Sequence, residues 1–227
     1  VLRRVLGALP LLVLVAWARG LAAAATMETD HAAYWRRRGR SPGDLMLVAL
    51  GDSLAQGMGA VHPERSWAGR LADAWEAHTG RPVRVLCLGV CGAGVADVLA
   101  DQLPQVPDAA LRGVPGTLVA LEVGTNDASG GTDPEEFRRL LTQVCAALPA
   151  GSLVGDVPDL KRGRVRRAGA ALAEVAREVV AAHPGLRLAR VEASTHGVVP
   201  WEFGPDLAHP NGLGYRRMAR AFTAALD

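Results

Sequence analysis

The sequence predicts an α/β domain, a three-layer α/β/α arrangement around a mostly parallel five-stranded sheet. Five short apolar runs recur between residues 44 and 227, each of a length suited to a buried strand. Amphipathic stretches of helical period separate them, so strands and helices alternate as they do when helices cover both faces of a parallel sheet. No internal repeat or low-complexity tract competes with this pattern.

The first strand is LMLVAL, followed by an amphipathic helix in SWAGRLADAWEA. VRVLCL is the second strand and GVADVLADQL the helix after it. TLVALEV is the third, followed by a helix in DPEEFRRLLTQVCAAL, where Asp133 can cap the N-terminus and Pro134 fits the first turn. GSLVGDV is a weaker fourth strand before a long helix around Gly163–Ala182. LRLARV is the fifth strand and NGLGYRRMARAFTAAL the closing helix. In such sheets ligands bind outside the carboxyl ends of the strands. GDSLAQG, GVCGAG and GTNDASGG all fall there, and three polar, glycine-rich loops after three consecutive strands point to a site.

The chain has 227 residues, enough for one domain with a sizeable core. Its 25 basic and 23 acidic residues nearly balance, which gives no global signal for nucleic acid. Cys87, Cys91 and Cys145 form neither a disulfide framework nor a zinc array and read as small buried side chains. Residues 1–25 are read as a hydrophobic signal or membrane-anchor segment, 26–43 as a polar linker and 44–227 as the α/β domain. The run from Val5 to Ala18 is too short to span a bilayer, but Val5 to Ala25 suffices if Arg19 reaches an interface. A cleaved signal with small residues at Ala22–Ala25, or a first helix of the domain, fits the same stretch. The stronger basic cluster, Arg36, Arg37, Arg38 and Arg40, lies downstream and favours a cytoplasmic domain if the segment spans. The expected location is therefore membrane-associated or secreted. KRGRVRR at 161–167 reads as a solvated helix start, or as attraction to anionic lipid head groups.

Ser53 follows the first strand directly, where a nucleophile facing a cleft belongs; taken alone such a serine is more often a helix cap or turn former. Asp206 and His209 are three residues apart, close enough for the carboxylate to orient one ring nitrogen while the other takes the Ser53 proton. Asn126 offers a side-chain amide to a developing oxyanion, and Gly92 an unobstructed backbone N–H. Each of these residues alone has a plainer structural explanation, and no third ligand near Asp206 and His209 suggests a metal.

Together the residues resemble the SGNH hydrolases, the GDSL-type esterase/lipase family. GDSL at 51–54, LGVCGAG at 88–94, GTND at 124–127 and DLAH at 206–209, followed by PNGLGY, stand in family order. The resemblance implies an SGNH, flavodoxin-like fold, with Ser53 as nucleophile, His209 as base and Asp206 as its orienting acid. It also implies oxyanion donors from Ser53 N–H, Gly92 N–H and Asn126, and no metal or organic cofactor. Cys87 stands where the second block often begins with Asn, and Cys91 where a small serine is common. The reaction implied is cleavage of carboxylic esters of small acyl or lipid-like substrates through an acyl-enzyme. A carbohydrate O-acetylesterase using the same residues, and a membrane-tethered binding protein without turnover, are the alternatives. Trp201 and Phe203 are expected to border the cleft, Trp67 to pack on its helix, and His62 and His196 to be structural or solvent-facing. The expected partners are a small-molecule ester and a membrane surface through the N-terminal segment, with no nucleic acid.

Overall fold

The computed structural model describes residues 22, 26–160 and 163–226. Its sheet contains β1 (Leu45–Gly51), β2 (Val83–Cys87), β3 (Thr117–Glu122), β4 (Leu153–Gly155) and β5 (Arg187–Ala189). The order is β2-β1-β3-β4-β5 and every pairing is parallel. β1 is therefore central, and its residues are buried along its whole length, as a strand covered on both faces requires.

Alternation along β1 sorts the core into two layers. Val48 and Leu50 face Phe137, Leu141, Val144 and Leu172, contributed by helices Pro134–Ala147 and Gly163–Ala181. Leu47 and Ala49 face Trp67, Leu71, Met218 and Phe222, from helices Trp67–Thr79 and Gly212–Ala224. Trp67 stacks on Phe222 with ring centroids 4.4 Å apart, so this tryptophan belongs to the core as expected. Truncating Leu47 or Leu50 to alanine in such packing costs about 2–5 kcal/mol.

The capping expectations at residue 133 hold: Asp133 accepts from the Glu135 and Glu136 amides, with Pro134 in the first turn. Asn211 likewise caps the last helix through the Leu213 and Gly214 amides.

Other elements differ from the sequence reading. The expected helix 94–103 is broken into Val95–Asp97, a π-helical turn Val98–Gln102 and a 3₁₀ turn Leu103–Gln105. Pro104 stops regular α-helix there, and the wide turn carries the buried Gln102 amide to β1, where it donates to the Gly51 carbonyl (2.7 Å) and accepts from the Gly51 N–H (2.9 Å). The fifth strand ends at Ala189, since Val191–Thr195 is helical.

The 26–43 stretch, expected as a polar linker, carries a helix over 26–38. It docks because Trp35 is almost fully buried, 3 % exposed, among the core residues beside helix Trp67–Thr79. The 1–25 segment lies outside the described residues apart from Ala22, as do Lys161 and Arg162 of the basic run. Among the described residues, no helix is long and apolar enough to cross a membrane.

Candidate active site

The nucleophile candidate is placed by a sharp exit from the central strand. Gly51 has φ of 139°, and a β-carbon there would lie 1.9 Å from the Glu122 carbonyl oxygen, so only glycine lets β1 and β3 approach this closely. Asp52 follows, fully buried, and caps a single helical turn, Ser53–Gln56, by accepting from the Leu54 amide at 2.8 Å. Ser53 thus stands at the first position of that turn, at the carboxyl end of the sheet.

The loop before the last helix brings up the other two groups. The Ser53 hydroxyl donates to His209 Nε2 at 3.0 Å. His209 Nδ1–H donates to Asp206 Oδ2 at 2.6 Å, while Asp206 Oδ1 accepts from the Ala208 and His209 amides at 2.9 and 3.0 Å. Both carboxylate oxygens are therefore used, one to fix the loop and one to fix the ring. Burial pushes the Asp206 carboxyl up, but the bonds from the His209 ring and the two amides outweigh it and hold the group well below the usual range. An ionised carboxylate facing Nδ1 keeps the proton on that nitrogen and leaves Nε2 free to accept one.

Asn126 lies in the short helix Thr125–Gly130 after β3. Its Nδ2 donates to Asp52 Oδ2 at 3.1 Å and to the Ala93 carbonyl at 3.0 Å. The asparagine is thereby tied both to the residue preceding Ser53 and to the residue following Gly92. Gly92 has φ of 83°, and nothing lies within 4 Å of a β-carbon built there, so glycine is required by the turn and not by crowding. Asp127, the last residue of GTND, is buried and accepts from the Val95 amide, securing the far end of the same loop.

The other residues singled out in the sequence are placed as follows. Trp201 is 72 % exposed, and its carbonyl and that of Phe203 both accept from Asn211 Nδ2. Phe203 is half-buried, forms a β-bridge with Pro210 and borders a hollow of about 200 Å³ with Leu160, Arg166 and Val198. His62 stands edge-on to Tyr34 near Glu64, and His196 meets Asp159 at 3.2 Å, both exposed. The three cysteines are unpaired thiols. Burial pushes Cys91 up to about 12, with the Glu28 and Asp52 carboxylates adding to it, so it holds no thiolate at neutral pH. Among the described residues, no three His, Cys, Asp or Glu side chains are grouped to hold a metal ion.

Sequence reasoning missed three supports. The cap of the first turn is Asp52 and not Ser53, and the bridge from Asp52 to Asn126 spans 74 positions. Gln102 reaches Gly51 across 51 positions with no local signal. Glu122 is fully buried with neither carboxylate oxygen hydrogen-bonded. Burial, with the nearby Asp52 and Asp156 charges adding to it, raises its pKa well above the ordinary range, which favours the protonated carboxyl.

Comparison with known proteins bears on the fold and the family. Among curated proteins none matches the sequence. Among solved structures, an alpha/beta hydrolase from the metagenome of Lake Arreo superposes with a TM-score of 0.64 at 20 % identity, covering 82 % of this chain and 98 % of its own. An acetylxylan esterase from Geobacillus stearothermophilus gives 0.61 at 19 %, covering 80 % and 94 %. A lipase from a goat rumen metagenome gives 0.63 at 17 %, covering 80 % and 97 %. At these identities the likeness is one of fold. The model of the GDSL-like lipase/acylhydrolase family matches residues 49–217, a span that holds all four sequence blocks. The chain belongs to the GDSL-like lipase/acylhydrolase family, the SGNH hydrolases, and is a hydrolase by that membership.

Proposed function

We propose that this protein is a serine hydrolase that cleaves carboxylic esters of small acyl or lipid-like substrates through an acyl-enzyme. The observation that supports it most is the hydrogen-bonded chain from Ser53 through His209 to Asp206, at 3.0 and 2.6 Å. His209 Nε2 takes the Ser53 proton as Oγ forms a bond to the ester carbonyl carbon. The negative charge on the former carbonyl oxygen is received by the Ser53 and Gly92 amides and by Asn126, which shares one of its two engaged Nδ2 hydrogens. Collapse breaks the bond to the alcohol, and His209 gives that alcohol the proton. Water then repeats the sequence: its proton goes to His209, its oxygen to the acyl carbon, and Ser53 leaves with the proton returned. Asp206 holds the imidazolium that forms twice in each cycle.

A carbohydrate O-acetylesterase would use the same residues, and the exposed ring of Trp201 suits stacking on a sugar face as well as contact with an acyl chain. Initial rates on p-nitrophenyl acetate, butyrate and a longer-chain ester, and acetate release from acetylated xylooligosaccharides, separate the two. Saturable turnover that disappears in Ser53→Ala is the expected result. Turnover unchanged in Ser53→Ala, or no turnover on any of these esters, overturns the proposal.

A further inference from the structure

The helix at 26–38 lies outside the span matched by the family, yet its buried contacts converge on the catalytic loops. We propose that this helix is a working part of the active site: through Gln56 it positions the Gly92 amide that receives the oxyanion. The inference rests on the esterase reading above.

Gln56 is the last residue of the turn that begins with Ser53, and it is bonded at every polar group that faces the interior. Its carbonyl accepts from His31 Nδ1 at 3.2 Å and from Trp35 Nε1 at 3.0 Å, both rings buried. Its side-chain Nε2 donates to the Gly89 carbonyl at 2.8 Å, and its Oε1 accepts from the Cys91 thiol at 3.1 Å. One residue thus ties the N-terminal helix, the nucleophile turn and the oxyanion loop together. Burial is the main cause that lowers the His31 pKa, which keeps the ring neutral with Nδ1–H as the donor.

The first turn of the helix reinforces both walls. Met27 Sδ accepts from the Gly59 amide at 3.2 Å, and a β-carbon on Gly59 would touch His209 Cβ at 2.8 Å. The Glu28 carboxylate lies beside Cys91.

Gly92 needs this bracing. It has no side chain, and no atom packs where one would be, so its amide takes its direction from its neighbours. The side-chain anchors are, upstream, the Gly89 carbonyl and the Cys91 thiol, both held by Gln56, and, downstream, the Ala93 carbonyl, held by Asn126; they add to the backbone bonds from Val90 to Gly51 and from Ala93 to Val90. A primary amide suits the upstream pair, because it donates to the Gly89 carbonyl and accepts from the Cys91 thiol. An oxyanion donor acts by being aimed before the charge develops, so a loosened anchor lowers kcat with little change in KM.

The test uses the full chain, comparing wild type with Gln56→Met and with Trp35→Phe, which removes one donor to the Gln56 carbonyl. End-point reaction with a serine-reactive phosphonate counts competent sites, and kcat is then expressed per titrated site. Gln56→Met is expected to lose about tenfold in kcat per site, less than the ~10²–10³ of outright donor removal, with KM within about twofold. Trp35→Phe is expected to lose about threefold in the same direction, and it decides the matter if Gln56→Met yields no folded protein. A merely structural role lowers the number of titrated sites and the Tm but leaves kcat per site alone; kcat per site unchanged in both variants overturns the inference. A wild type that neither takes the phosphonate nor turns over an ester fails the esterase reading itself, and this inference falls with it.

Discussion

Asp206→Asn tests how the imidazole is held. In the wild type, Oδ1 accepts from two backbone amides and Oδ2 accepts from His209 Nδ1–H at 2.6 Å. An asparagine of the same shape keeps its oxygen on the two amides, since only an acceptor satisfies them. Its NH₂ group must then face Nδ1. The ring answers by presenting a lone pair at Nδ1 and carrying its proton on Nε2, 3.0 Å from the Ser53 hydroxyl. His209 becomes a donor to the nucleophile and cannot take its proton. The stabilisation of the imidazolium by a carboxylate is lost at the same time. A wrong tautomer in this kind of triad lowers kcat by roughly 10⁴-fold, which at 1.36 kcal/mol per decade is about 5.4 kcal/mol. The assay is kcat for p-nitrophenyl acetate at pH 7.5, normalised to phosphonate-titrated sites, with circular dichroism to verify folding. A loss of less than about tenfold in a folded variant refutes the tautomer argument. The same substitution carries a pH signature for stability. The folded pKa of Asp206 is depressed, so its contribution is present above the ordinary carboxylate pKa and is lost as pH falls towards the folded value. The stability gap between wild type and Asp206→Asn in urea is therefore expected to shrink on acidification below about pH 4.

Asn126→Ala removes the proposed oxyanion donor and both its bonds to Asp52 and Ala93; kcat is expected to fall by about 10²–10³ with KM little changed. A rise in KM with kcat intact would move Asn126 from transition-state to ground-state binding. Glu122→Gln is expected to stabilise the protein relative to wild type increasingly as pH rises from 4 to 8. The folded carboxyl stays protonated while the unfolded one ionises near its ordinary value, so wild-type stability falls with pH across that interval. Urea unfolding at several pH values measures this, and a pH-independent difference contradicts a neutral buried Glu122. Gly51→Ala should fail to fold or lose more than about 4 kcal/mol, because its β-carbon meets a backbone oxygen at 1.9 Å. Gly92→Ala has open space and should cost only about 1–2 kcal/mol, from its left-handed φ. Equal melting temperatures for these two variants would remove the distinction.

The strands were legible because burial on both faces of a parallel sheet writes itself as a continuous apolar run, and LMLVAL falls within β1. Asp133 was readable as a cap because a cap acts within three residues of its target. The candidate site was legible through four blocks, each placed by the end of a strand or the start of the last helix. What could not be read depended on side chains meeting across the fold. The Gln102 amide replaces ladder partners for Gly51, and nothing local marks a glutamine for that task. Residues 26–43 looked like a linker because of their polar and charged residues, while His31 and Trp35, four positions apart on one helical face, bond to Gln56, with Met27 and Arg38 adding bonds to Gly59 and Val83. Trp201 was singled out for its loop, and the loop holds it by its carbonyl with the ring out in solvent.

The central claim is that Ser53 is the nucleophile. The most direct measurement is intact-protein and peptide mass spectrometry after reaction with a fluorophosphonate, run alongside ester turnover. One equivalent bound at Ser53, loss of turnover in step with labelling, and no adduct in Ser53→Ala is the predicted result. Turnover that survives complete modification of Ser53, or an adduct carried by another residue, would contradict it.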